Sequence, residues 1–172
     1  MQGFRDISSE LQEYGIINFF WMQTLADLSK LAKVGKPKVI TLHDMWFLTG
    51  GCVYGLWCQG FVSGCNACPN VQLKAQRRIR NQYQLKRKLL NRSDSHVVVT
   101  SQWMHQQACL SGLQPEKISI IPNYIPEHYS YISAKTELRS LIGWKNVLSS
   151  DQVVCYFVGS LTDSRKGFHL LV

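Results

Sequence analysis

No stretch of this chain approaches the roughly 20 apolar residues that a membrane-spanning helix needs. The longest run, Gly15 to Met22, is short and broken by Asn18. The N-terminus, MQGFRDISSE, has no basic stretch followed by an apolar one, so it lacks the form of a secretory signal. There is no GxGxxG or Walker A loop and no G-x-S-x-G elbow, which leaves no ready-made phosphate loop and no hydrolase nucleophile. Internal repeats are missing too. The chain is not short of core material: 45% of its 172 residues are hydrophobic, which excludes wholesale disorder and collagen-like structure. That length suits one ordinary domain, or one domain and part of another. The expectation is a soluble, cytoplasmic chain.

Acidic residues are absent from one long segment. Between Val71 and Arg92 lie Lys74, Arg77, Arg78, Arg80, Lys86, Arg87, Lys88 and Arg92, with no Asp or Glu among them. Those charges equal the entire net charge of +8, because the other 11 basic and 11 acidic residues cancel. Val71, Ala75, Ile79 and Tyr83 recur every four residues, and Leu89 and Leu90 continue that side, as an amphipathic helix requires. Its basic face is either simply solvated or turned toward an anion: an acidic lipid headgroup or a phosphorylated substrate. Nucleic acid is not expected, since no aromatics are interleaved and no nucleic-acid module surrounds the helix.

Short β-rich runs alternate with helical ones. GIINFFW (15–21), KVITL (38–42), HVVVT (96–100), ISII (118–121) and VVCYFV (153–158) read as strands. Helices are expected over Thr24 to Lys33, through the basic segment, over Gln102 to Leu113 with Ser101 as its N-cap, and near Thr136 to Ile142. The pattern predicts an α/β fold, a Rossmann-like parallel sheet with helices on both faces. The divisions are 1–123 for a partial N-terminal domain with a Cys-rich loop at 49–69, 124–150 for a linker and helix, and 151–172 for the start of a second domain. Ending on an unfinished amphipathic turn, the chain reads as a piece of something longer.

Ligands of parallel sheets bind at the carboxyl ends of the strands. His43 and Asp44, Ser101, Asn123 and the Gly159 loop fall at such ends. Cys52, Cys58, Cys65 and Cys68 form C-x5-C-x6-C-x2-C in one loop, a spacing that could hold a structural zinc or could equally pack small buried thiols. Cys109 and Cys155 read as core residues. Lys166-Gly167, expected to open a helix, offers a point charge to a phosphate.

VITLHDMWFLTGGCVYGLWCQGFVSGCNACPN (39–70) resembles the HDMW…TGGC…CxxCP stretch of glycosyltransferases of family 4, and the likeness continues through 97–113, 118–125 and 156–172. The resemblance implies the GT-B fold, with two Rossmann-like domains and a nucleotide-sugar donor held mainly by the second. It also implies transfer with retention of configuration to a glycan or lipid-linked acceptor, with no cofactor required for the chemistry. Carried over by position, His43 faces the donor sugar as the catalytic residue, and Lys166, Arg165 and Gly159 belong to the donor site. Asp44, Trp46, Gly50 and Gly51 belong to the acceptor side or cleft. Lacking most of the donor domain, this chain is expected to be inactive by itself. The basic helix would then meet anionic membrane at its inner face. The alternative is a zinc-stabilised binding module that uses the basic helix for nucleic acid or anionic membrane.

Overall fold

The computed structural model describes residues 10–20, 28–126, 143 and 157–171. The chain divides into two compact units, Met1–Tyr124 and Ile125–Val172. In the first unit, strands β1 (Ile17–Phe20), β2 (Lys38–Leu42), β3 (Ser95–Val99) and β4 (Ile118–Ile120) form one sheet in the order β1-β2-β3-β4. Every neighbouring pair is parallel, with Phe19 beside Ile40, Ile40 beside Val97 and Val97 beside Ile118. Runs rich in Ile and Val between polar turns produce these strands, because branched side chains pack well on a pleated surface.

The two faces of the sheet differ. Phe19, Ile40, Leu42, Val97, Val99 and Ile118 point to one side and join Leu28, Leu89, Leu90, Met104 and Ala108 in a single buried core. Those helical residues come from α1 (Leu28–Leu31), α2 (Leu73–Leu90) and α3 (Gln102–Leu110), so all three helices cover the same face. A strand order that steps in one direction explains this, since right-handed crossovers then return on the same side. The opposite face carries Asn18, exposed Phe20, Thr41, His96 and Ser119. There Thr41 Oγ1 donates to Asn18 Oδ1 (3.2 Å), and His96 Nε2 lies 2.9 Å from Ser119 Oγ. Among the described residues no helix covers that second face.

The parallel α/β sheet is the one expected, although its described helices lie on one face rather than on both, and four of the five strands fall within a residue or two of their predicted bounds. The fifth, and the helix near 136–142, lie largely or wholly outside the described residues, as does the start of the 24–33 helix. Ser101 caps α3 as its sequence position predicts, accepting a hydrogen bond from Met104 N at 3.2 Å. At the opposite, amino-terminal edge of the sheet, Lys38 is fully buried. Its ammonium donates to Val34 O (2.7 Å), Lys36 O (2.7 Å) and the Asp94 carboxylate (2.9 Å), tying β2 to the residue that precedes β3. Asp94 accepts in turn from Nε and Nη2 of Arg92, at 2.7 and 2.8 Å. Among the described residues no helix is long and apolar enough to cross a membrane.

Candidate active site at the carboxyl edge of the sheet

Parallel pairing in register brings the ends of β2, β3 and β4 to one edge: Leu42 lies beside Val99, and Ile121 N donates to Val99 O at 2.9 Å. His43 and Asp44, Thr100 and Ser101, and Pro122 and Asn123 therefore emerge together. His43 is exposed there. Asp44 is half-buried, and its Oδ1 accepts from Trp46 N at 2.8 Å, which starts the 3-10 turn Trp46–Leu48. That turn buries what the sequence placed in a cleft. Trp46 is only 6% exposed and packs edge-on against Phe47, so it supports the edge from below.

Gly50 is also a packing residue. A Cβ there would collide with the Ile79 side chain and lie 2.9 Å from Ile79 O, so the loop meets α2 at a contact distance only glycine permits. Gly51 is exposed beside it. The Cys loop then folds over α2. Gln76 of the helix clasps the CxxC end, accepting from Cys68 N at 2.8 Å and donating to Cys68 O at 2.7 Å. Between loop and helix lies a cavity of about 430 Å³ lined by all four cysteines, with Phe61, Ile79, Gln82 and Arg78 among its other walls. Gly50 N donates to Cys65 Sγ (3.2 Å) and Gly60 N to Cys58 Sγ (3.4 Å). Burial, and neighbouring thiols, raise the pKa of both Cys52 and Cys65. Among the described residues, no three His, Cys, Asp or Glu side chains stand in an arrangement that would hold a metal ion.

Lys86 is the residue that charge counting missed. It belongs to the basic segment yet is wholly buried. Its ammonium donates to Trp46 O at 2.7 Å and sits 3.8 Å from the centre of the Trp46 ring. Burial lowers its pKa from 10.5 to about 7, against the opposing pull of Cys65, Cys52 and Asp44. The signal was present in the spacing: Ile79, Tyr83, Lys86 and Leu90 follow one another by three or four residues, which puts Lys86 on the apolar stripe.

In the second unit, Lys166 ends a 3-10 turn, Ser164–Lys166, and is exposed. Gly167 follows in the left-handed region (φ 76°) and leads into a second 3-10 turn, Phe168–Leu170. Where the sequence leads one to expect a helix to open, the described residues form two short 3-10 turns joined at Gly167. Arg165 pairs with Asp163 through two nitrogens, at 2.9 and 2.6 Å. Gly159 and Lys166 are near neighbours, with a Cβ at Gly159 lying 3.5 Å from Lys166 Cγ.

The profile of Glycosyltransferase Family 4 matches residues 5–128, which is most of the first unit and well over half of the chain. The chain belongs to glycosyltransferase family 4. One curated relative, WcaC of Escherichia coli strain K12, is named as a colanic acid biosynthesis glycosyl transferase. It is 30% identical over 63 residues, covering 34% of this chain and 16% of that protein. The family-4 chain thus spans a small part of the relative it matches. No solved structure matches it.

Proposed function

We propose that this family-4 chain supplies the acceptor-side portion of an enzyme that moves a sugar, with retention of configuration, from a nucleotide-sugar donor to a polysaccharide or glycolipid acceptor. The observation that carries the reading is the exposed His43 at the carboxyl edge of the parallel sheet, where ligands of such sheets bind. Its neighbour Asp44 is engaged in holding the Trp46 turn, which leaves the exposed imidazole as the more open polar group of the pair. In this reading His43 faces the reacting sugar. Lys166, with Arg165 and the Gly159 loop, neutralises the donor diphosphate, whose charge grows as the leaving group departs. A fixed cation there stabilises the transition state more than the ground state.

The chemistry calls for no metal, and sugar transfer by the whole enzyme tests it. His43→Ala should lower kcat by 10²-fold or more, an order typical of losing one group aimed at the reacting centre. Because the side chain is exposed, the melting temperature should stay within a degree or two of the parent. Unchanged turnover would sink the assignment of His43.

Peripheral contact with anionic membrane is the second part of the reading. Trp57 is 96% exposed and Leu56 is open too, while on α2 exposed Leu73 precedes the exposed Lys74, Arg77 and Arg78. An apolar tip next to a basic face suits the headgroup region of a bilayer. Sedimentation with anionic vesicles should be salt-sensitive and weakened by Trp57→Ala; indifference to lipid charge returns the helix to a solvated face.

A further inference from the structure

The cavity between the Cys loop and α2 plays no part in the sugar-transfer reading, and it is too large to be a packing defect. Protein interiors leave few voids bigger than a water molecule. This one is about 430 Å³, the size of a small-ligand site. Gly50, Gly51, Gly55 and Gly60 border it and keep that volume clear of side chains. Its walls are largely apolar. Phe61 is buried, while Val71, Ala75 and Ile79 stay half-exposed on the helix side. The four cysteines belong to the same lining. Burial raises the pKa of Cys52 and Cys65, so both stand there as neutral thiols, which behave as small hydrophobes. Apolar wall left facing water favours an apolar occupant.

One rim of the cavity is charged. Arg78 and Gln82 line it and also line an open groove on α2, whose other walls include Lys74, Arg77 and Asn81. The apolar hollow and the basic groove therefore adjoin, sharing two side chains. No Asp or Glu lies between Val71 and Arg92, and among the described residues no carboxylate pairs with Lys74, Arg77 or Arg78. A ligand that satisfies both halves has an anionic head and an apolar tail.

We propose that hollow and groove together bind one molecule of a single-chain amphiphile with a phosphate head. The tail enters among Phe61, Ala75 and Ile79, and the phosphate meets Arg78 with Lys74 and Arg77. A guanidinium at the junction suits the phosphate, because its planar fork matches two oxygens at once. Each methylene taken from water into the hollow strengthens binding until the hollow is full. Within the transferase reading such a molecule is a lipid-linked acceptor; that identification rests on the reading, whereas the binding does not.

Calorimetric titration of the 172-residue chain with butyl, hexyl, octyl and decyl phosphate, each below its micelle concentration, tests the site. One molecule per chain is expected, with affinity rising by about fourfold per methylene at most and then levelling off. Octyl glucoside, with the same tail and no charge, should bind about tenfold more weakly, the usual order for losing a hydrogen bond to a charged group. Arg78→Gln should bring octyl phosphate down toward octyl glucoside, and Arg78→Lys should restore part of the difference. Ala75→Phe should move the plateau to shorter chains. Absence of saturable binding overturns the site, as does affinity that climbs without a plateau or many molecules per chain. Inorganic phosphate binding as well as octyl phosphate overturns the hollow as a tail site. Octyl glucoside binding as well as octyl phosphate overturns the role given to Arg78 and the groove. Adsorption to vesicles containing phosphatidic acid, without binding of monomeric octyl phosphate, assigns the basic face to a bilayer surface and overturns the proposal. No sugar moves in any of these titrations, so their failure and the failure of the transferase reading are told apart. The chain-length series is read on the unmutated chain, so a variant that fails to fold leaves the proposal testable.

Discussion

Lys86 sets a measurable pH dependence on the stability of the chain. In the folded state its pKa falls from 10.5 to about 7, and burial beneath Trp46 is the leading cause. The difference of about 3.5 units corresponds to about 5 kcal/mol, at 1.36 kcal/mol per unit. The unfolded chain keeps the proton up to about pH 10, whereas the folded chain begins to release it near pH 7. Below pH 6 both states carry the charge and stability does not change on this account. Above pH 7 the unfolded state binds more protons, so stability rises with pH. Between pH 7 and 8 the gain is about 1 kcal/mol, since the folded group is half-titrated at the start of that interval.

Other groups of the loop and helix oppose it only higher up. Cys52, Cys65 and Tyr83 have raised pKa values, so their ionisation begins to favour the unfolded chain as the ordinary thiol range is approached. Urea unfolding of the chain at pH 6, 7 and 8 should therefore show the rise, and Lys86→Met should lack it. Taking the difference between the two proteins cancels the histidines. Parallel stability curves would refute the reasoning and mean that Lys86 reaches water in solution.

Two further changes probe the frame around the site. Asp94→Asn removes the only carboxylate that pairs with buried Lys38 among the described residues, Asp94 itself being 25% exposed; the expected loss is about 3 kcal/mol in urea unfolding, the lower end for breaking a buried pair. Arg92 first, and Lys38 second, hold the Asp94 carboxyl well below the usual range, so the gap from the parent should persist above pH 4 and narrow as pH falls below it. Ser101→Ala removes the cap of α3, and about 1 kcal/mol of stability should go with it, while Ser101→Gly should cost only a few tenths.

Which features could be read from the sequence, and which could not, follows from how far their causes lie apart along the chain. KVITL and HVVVT become β2 and β3 because a branched apolar run between turns is a local signal, and the strand ends then fix the edge that bears His43. Ser101 caps α3 for a cause three residues away. Trp46, by contrast, reads as a cleft aromatic beside His43 and Asp44. It is buried because α2, forty residues later, lays the Lys86 stem and ammonium over its ring. Gly50 likewise meets α2, where Ile79 leaves no room for a Cβ. Lys86 is hidden twice over. Counted with seven other cations it looks like solvent-facing charge, and only its place between Tyr83 and Leu90 on the helical stripe says otherwise. The face of a helix, not the sign of a charge, decides which basic residues meet water. For α2 that divides one basic run into two parts: Lys74, Arg77, Arg78, Arg80 and Lys88, open to an external anion, and Lys86, buried against Trp46.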